Sequence, residues 1–235
     1  MEVQARPQPF DLDIKRTAVI VVDMQNDFAA EQGMFARAGI DVSMIRAAVA
    51  PTAKVIAAAR QNGIPIVYLK MGFLPDLSDA GLPDSPNRLR HMRMGVGDAV
   101  NAPDGTESRV LIRDTWNTDI VNELRPEPGD MVLYKHRYSG FYQTGLDDVL
   151  KERNIRQLVF TGCTTSVCVE STIRDAMFRD YSCLLLEDCA AEPIGCNLPR
   201  SNHDASLLVI QTLFGWVGRS AHLLAALEAH AAVSA

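Results

Sequence analysis

The sequence predicts an α/β fold: a three-layer α/β/α sandwich around a central, mostly parallel sheet of about six strands. Three observations predict it. Short runs rich in Val, Ile and Leu recur along the chain, helical segments with apolar residues at helical spacing separate them, and the runs are too continuously apolar to leave one face in water. Such strands suit a sheet covered by helices on both faces and wound by right-handed crossovers.

In chain order the strand candidates are Thr17–Val22, 64–69, 131–134, 157–161 and 182–187, with a short sixth at 109–112. The helix candidates are Ser43–Gln61, ended by Gly63, then 118–124, 145–153, 166–180, 203–214 and 221–231. In the segment 166–180, Val169, Ile173 and Met177 follow one another at four-residue spacing and mark a buried stripe. Two long stretches, 72–108 and 190–202, are rich in Pro, Gly, Asp and Asn. An open α/β sheet places its site beyond the carboxyl ends of the strands, so these stretches are expected to form pocket walls or subunit contacts.

With 235 residues and 47% hydrophobic composition, the chain can build one sizeable core, and a single domain over 1–235 is expected. A net charge of −6 with scattered Lys and Arg argues against nucleic acid or an anionic membrane and for a small-molecule partner. The N-terminus lacks the apolar core of a secretory signal, and no run approaches the roughly 18 apolar residues of a membrane span, so a cytoplasmic address is expected. Five cysteines (Cys163, Cys168, Cys183, Cys189 and Cys196) at uneven spacing, without a CxxC pair, fit reduced thiols. The histidines (His91, His136, His203, His222 and His230) show neither HxH nor HExxH spacing, Cys189, Cys196 and His203 lack the close pairing of zinc sites, and no glycine loop cradles a phosphate. No metal or cofactor is expected.

The stretch Leu158-Val159-Phe160-Thr161-Gly162-Cys163-Thr164-Thr165-Ser166-Val167-Cys168 reads as strand, glycine turn, then a helix whose first turn carries a cysteine. A thiol there has its thiolate stabilised by the helix dipole and free N–H groups. Cys168 is therefore read as a nucleophile, or else as a buried thiol packing the helix start. Cys163, Cys183 and Cys189, in or beside strands, are expected to be structural. Asp23 emerges from Ala18-Val19-Ile20-Val21-Val22 and serves either as a general base or as a cap of the next turn. Lys135 closes Met131-Val132-Leu133-Tyr134, where its ammonium would lower the pKa of a nearby thiol and stabilise an oxyanion, or simply be solvated. A papain-like pair of cysteine and His136 is a further arrangement to weigh.

These motifs resemble the isochorismatase-like cysteine hydrolase superfamily, from Ala18-Val19-Ile20-Val21-Val22-Asp23-Met24-Gln25-Asn26-Asp27-Phe28 to Phe214-Gly215-Trp216-Val217. The resemblance implies a catalytic triad of Asp23, Lys135 and Cys168. The turn Gly162-Cys163-Thr164-Thr165-Ser166-Val167-Cys168-Val169 matches the family's Gly-x-x-Thr-x-x-Cys-Val. This match implies a non-proline cis peptide between Cys163 and Thr164 and an oxyanion hole made by the amides of Thr164 and Cys168. Arg137-Tyr138-Ser139-Gly140-Phe141 and Cys168-Val169-Glu170-Ser171-Thr172-Ile173-Arg174-Asp175 look like ureidoacrylate amidohydrolases, whereas Gly72-Phe73-Leu74-Pro75-Asp76-Leu77-Ser78-Asp79 looks like biuret hydrolases. The Asp-x-His metal motif of nicotinamidases is replaced by Lys70-Met71-Gly72-Phe73, and Cys168 separates the chain from true isochorismatases.

The resemblance thus implies metal-independent amide hydrolysis of a small ureido compound, either a linear urea (biuret, triuret) or ureidoacrylate. For such a substrate Phe28 and Phe141 are candidates for flat walls, Gln25, Asn87 and Gln211 for amide hydrogen bonds, and Phe73 and Tyr138 for further contacts. Arg88, Arg90 and Arg93 are candidates for the carboxylate that only ureidoacrylate carries. A homo-oligomer, by resemblance a tetramer, is expected, with Phe214 and Trp216 as interface material. Other small-amide hydrolysis, a non-catalytic binding scaffold and a redox-sensing thiol are the alternative functions.

Overall fold

The structure is a computed structural model that describes residues 1–195 and 201–234. Seven strands form its central sheet: β1 (Ala5–Arg6), β2 (Thr17–Val22), β3 (Ile66–Met71), β4 (Met131–Lys135), β5 (Gln157–Cys163), β6 (Ser182–Ala191) and β7 (Trp216–Gly218). Their spatial order is β1-β7-β6-β5-β2-β3-β4, parallel throughout except for β1, which pairs antiparallel on the β7 edge. The helices are α1 (Asn26–Ala29), α2 (Met34–Arg37), α3 (Ser43–Gln61), α4 (Pro86–Arg93), α5 (Leu146–Glu152), α6 (Glu170–Met177), α7 (Asn202–Val209) and α8 (Ser220–Ser234).

Alternation along β2 divides the interior into two cores. Val19 and Val21 face a core with Val49 and Ile56 of α3 and Leu223 and Leu227 of α8. Ala18, Ile20 and Val22 face the other, with Leu146 and Leu150 of α5 and Ile173 of α6. Every residue of β2 is buried, which is why the run shows no polar alternation. Among the described residues, no helix is long and apolar enough to cross a membrane.

Some expected elements take other forms. The run at 109–112 does not join the central sheet. Glu107–Arg109 pairs with Ala99–Asn101 in a separate two-stranded sheet, and Ile112 makes only a bridge to Phe73. Charged Glu107, Arg109, Arg113 and Asp114 deny this run the two apolar faces a central strand needs. The sixth parallel strand is instead β7. Its Trp216 packs edge-on against Phe10, with ring centroids 5.1 Å apart, and Phe214 lies under the Arg174 guanidinium, so both aromatics have intramolecular partners. The helix expected at 118–124 is two 3-10 turns, Trp116–Thr118 and Asn122–Leu124, separated where Ile120 bridges to Gln25. Conversely, the stretch 72–108 contains α4, started by a Ser85 hydroxyl that accepts from the Arg88 amide and by Pro86 in the first turn. The stretch 190–202 begins as the end of β6, and Cys196 lies outside the described residues.

Register places the site. Val22 lies opposite Leu69 of β3 and Gly162 of β5, and Met71 lies opposite Lys135 of β4. The residue after β2, the last residue of β4 and the end of β5 therefore meet at one carboxyl edge. Gly162 is required there: its φ is +114°, and a Cβ would sit 2.0 Å from the Val22 carbonyl oxygen.

Candidate active site

Asp23 leaves β2 with a φ of +51° and its amide still bonded to the Leu69 carbonyl. Its carboxylate does not cap the next turn, where the Gln25 amide bonds to the Asp23 backbone carbonyl instead. One carboxylate oxygen, Oδ1, accepts from the Met71 amide at 2.9 Å, and the other, Oδ2, pairs with Lys135 Nζ at 2.8 Å. Lys135 is wholly buried and Asp23 is 1% exposed. Because Lys135 is the register partner of Met71, its ammonium reaches across β3 to Asp23, passing 3.6 Å from the Met71 sulfur and 3.4 Å from the Arg137 carbonyl.

Cys168 sits later in its helix than the sequence suggests. The chain leaves β5 through a cis Cys163–Thr164 peptide and forms a π-helical turn, Thr165–Val169, before α6 begins at Glu170. The Thr164 carbonyl accepts from the amides of Val167 and Val169, and neither the Thr165 nor the Ser166 hydroxyl caps the turn. Glu192, at the end of β6, takes that role. Its Oε2 accepts from the Ser166 amide at 2.9 Å and the Ser166 hydroxyl at 2.5 Å, and its Oε1 accepts from the Ile194 amide. This sets the Cys168 thiol beside Asp23 and Lys135, near enough for both to act on its proton.

Burial dominates the electrostatics. It raises Asp23 above the usual carboxylate range against the pull of Lys135. It opposes the Lys135 charge, but Asp23 and Cys168 outweigh it and hold the ammonium pKa above the ordinary value. It pushes the Cys168 thiol well up, helped by the Asp23 charge and opposed by Lys135. Lys135 does favour the thiolate, as expected, but burial and the Asp23 charge act the other way and favour the protonated thiol. The thiol keeps its proton beside a carboxylate made more basic by its surroundings.

These groups form one end of a cavity of about 310 Å³, lined by Asp23, Phe28, Met34, Phe35, Met71, Arg90, His91, Met94, Leu111, Tyr138, Cys163, Thr164, Val167, Cys168 and Ile194. Of the sequence-derived candidates, Phe28, Tyr138, Thr164, Arg90, Asp23 and Cys168 are on this wall, with Lys135 directly behind Asp23. The others are elsewhere. The Gln25 amide is spent on Met71 and on the Thr118 carbonyl. Phe73 packs behind His91, and the Asn87 amide donates to the Ala80 carbonyl. Phe141 lies in the second core against Tyr181, and Gln211 accepts from Arg6 where the strands begin. Arg88 is held by the Leu77 and Gly81 carbonyls, and Arg93 is not on the wall. His136 meets Tyr142 edge-on and is not on the cavity wall, so a papain-like pair with Cys168 is not formed.

The sequence reading missed His91, Met34, Phe35, Met71, Met94, Leu111, Val167, Cys163 and Ile194 as wall residues. For His91 and Met94 a signal was available in the Ser85-Pro86 helix start. Among the described residues, no three His, Cys, Asp or Glu side chains are grouped to hold a metal ion.

A parallel sheet covered on both faces, with an acid, a lysine and a thiol gathered under a small cavity at its carboxyl edge, defines the class of a hydrolase. The chain belongs to the isochorismatase family: a family model described as the isochorismatase domain matches residues 17–222. It is similar to the ureidoacrylate amidohydrolase RutB of Methylorubrum extorquens, at 44% identity over 224 residues covering 95% of this chain and 88% of that protein. Among solved structures it is similar to a cysteine hydrolase from Pseudomonas syringae pv. phaseolicola 1448A, with a TM-score of 0.78 and 30% identity over 94% of this chain and 96% of that one. It is also similar to N-carbamoylsarcosine amidase from Thermoplasma acidophilum, with a TM-score of 0.64 and 28% identity over 87% and 96% of the two chains.

Proposed function

We propose that the chain is an amidohydrolase that uses Cys168 as nucleophile, works without a metal, and cleaves a C–N bond of a small ureido acid of the ureidoacrylate type. The observation that carries this is the Cys168 thiol beside a buried pair of carboxylate and ammonium at the end of the cavity.

Asp23 takes the thiol proton as the sulfur attacks the carbamoyl carbon, so that no free thiolate precedes the substrate. The carbonyl oxygen gains the electron pair, and the amides of Thr164 and Cys168, with the Lys135 charge behind them, stabilise it. The C–N bond then breaks as Asp23 returns the proton to the departing nitrogen. Water, deprotonated by the same carboxylate, adds to the S-carbamoyl thiocarbamate and releases carbamate and the sulfur, which recovers its proton. The buried Asp23–Lys135 pair suits this shuttle, because Lys135 stays charged while Asp23 changes protonation.

Two features support the ureido acid over biuret or triuret. Most of the wall is Met, Phe, Leu, Val and Ile, against which the many N–H groups of a linear polyurea would lose their hydrogen bonds. Arg90 reaches the wall and has no carboxylate partner among the described residues, which suits an anionic tail. The name of the Methylorubrum relative and that of the Thermoplasma neighbour both denote enzymes acting on carbamoyl compounds. The test is product release from ureidoacrylate, biuret, triuret and nicotinamide by wild type and Cys168→Ala, with a chelator present throughout. Turnover of ureidoacrylate that vanishes in the variant and survives the chelator is expected; turnover retained by Cys168→Ala, or lost to the chelator, would sink the mechanism.

A further inference from the structure

His91 is buried at 8% exposure, lines the cavity, and has no part in the steps above. Its Nδ1 lies 2.6 Å from the carbonyl oxygen of Asn87, one turn back on α4. A carbonyl only accepts, so Nδ1 carries the proton and Nε2 carries a lone pair. The ring is fixed between Phe73, edge-on at 5.0 Å, and Tyr138 at 5.8 Å. With Nδ1 turned back onto the helix, Nε2 is the ring nitrogen left without a partner among the described residues, on a side chain that lines the cavity. Burial, with Lys135 and Arg137 nearby, lowers the His91 pKa and keeps the ring neutral. Among the side-chain nitrogens and oxygens of the wall, Nε2 is the one outside Asp23 that can only accept: Thr164 and Tyr138 hydroxyls can donate, and Arg90 must.

We propose that His91 is a specificity-determining residue whose Nε2 accepts a hydrogen bond from the terminal amide nitrogen of the substrate's carbamoyl group. The site then selects ureido compounds over acyl isosteres in which a methyl replaces that nitrogen. This rests on the ureido reading above. With the carbonyl oxygen directed to the Thr164 and Cys168 amides, the planar carbamoyl group must turn its –NH2 to another wall, and an acetyl group in its place would leave the lone pair dry and unpaired.

The test compares kcat/KM for ureidoacrylate with that for its N-acetyl counterpart, in wild type, His91→Phe, His91→Leu and His91→Gln. Taking the ratio within each enzyme and comparing it between enzymes cancels the intrinsic reactivity of the two substrates. The preference for the carbamoyl compound should fall by roughly tenfold to a hundredfold in the Phe and Leu variants. It should be partly retained in Gln, which offers a carbonyl acceptor. A ratio unchanged in the Phe and Leu variants overturns the role of His91 while leaving the ureido reading standing; failure of wild type to hydrolyse ureidoacrylate overturns both. Nitrogen NMR gives a measurement that needs no His91 variant. In Cys168→Ala protein, ureidoacrylate should shift an unprotonated Nε2 resonance of His91, and a protonated or unshifted Nε2 would refute the assignment.

Discussion

Asp23 and Lys135, paired with each other, act on the Cys168 sulfur with opposite signs. The carboxylate holds the proton on the sulfur at rest and receives it in the reaction, and these two duties can be separated by removing its charge. In Asp23→Asn, amide hydrolysis should fall by roughly 10²–10⁴-fold, the usual contribution of a positioned general base. Alkylation of Cys168 by iodoacetamide near neutral pH should nevertheless become faster, since the charge opposing the thiolate is gone while Lys135 remains. The measurement is the rate of labelling of the Cys168 peptide, followed by mass. Slower labelling would mean that Asp23 already deprotonates the thiol in the resting protein. Cys163, whose thiol burial raises well above its ordinary value and which donates to the Asp23 carbonyl at 3.2 Å, should stay unlabelled in both proteins.

The elements carrying these residues are held by contacts of unequal legibility. The close approach of β5 to β2 depends on Gly162, and Gly162→Ala should cost more than about 2 kcal/mol, from the positive φ and the clash with the Val22 backbone. Urea unfolding checks this, and an unchanged midpoint would show that the strands can part. The π turn depends on Glu192, so Glu192→Ala should lower kcat by up to roughly 10²-fold with a smaller change in KM, and Glu192→Gln should recover part of it. Equal falls for both variants, or a loss confined to KM, would deny it a positioning role. The uninterrupted run before Asp23 and the glycine turn before Cys168 made those strand ends readable, because a buried parallel strand leaves a continuous apolar trace. Glu192 and His91 were not readable. Glu192 acts through a contact 26 residues away in sequence, and His91 rides on a short, polar helix inside a stretch whose Pro, Gly and Asp content reads as loop. Gln211 and Phe141 were misplaced for a related reason: residue type shows what a side chain can bond, whereas register decides which end or face of the sheet it reaches.

At the scale of the whole molecule, Asp27 ties the nearby start of α2 to the distant stretch that holds Leu111 and Asn117. Its buried carboxylate accepts from the Met34 amide at 3.0 Å, the Leu111 amide at 2.7 Å and Asn117 Nδ2 at 2.5 Å, and Met34 and Leu111 are cavity wall. Those bonds favour the anion, but burial prevails and raises the Asp27 pKa from 3.8 to about 6. The sign of the linkage follows. Between those values the folded protein holds a proton that the unfolded chain has released, so the Asp27 contribution to stability declines as pH rises through that window and is flat above it. A shift of that size corresponds to about 3 kcal/mol. Asp27→Asn cannot titrate, and its amide offers one acceptor oxygen to donors that previously had two, so the variant should be less stable at every pH but lack this slope. Urea unfolding of both proteins at a series of pH values isolates the effect, because every other carboxylate cancels in the difference. The stability of wild type relative to the variant should shrink between about pH 4 and pH 6 and level off beyond, and a difference that grows with pH would mean that the three hydrogen bonds outweigh burial.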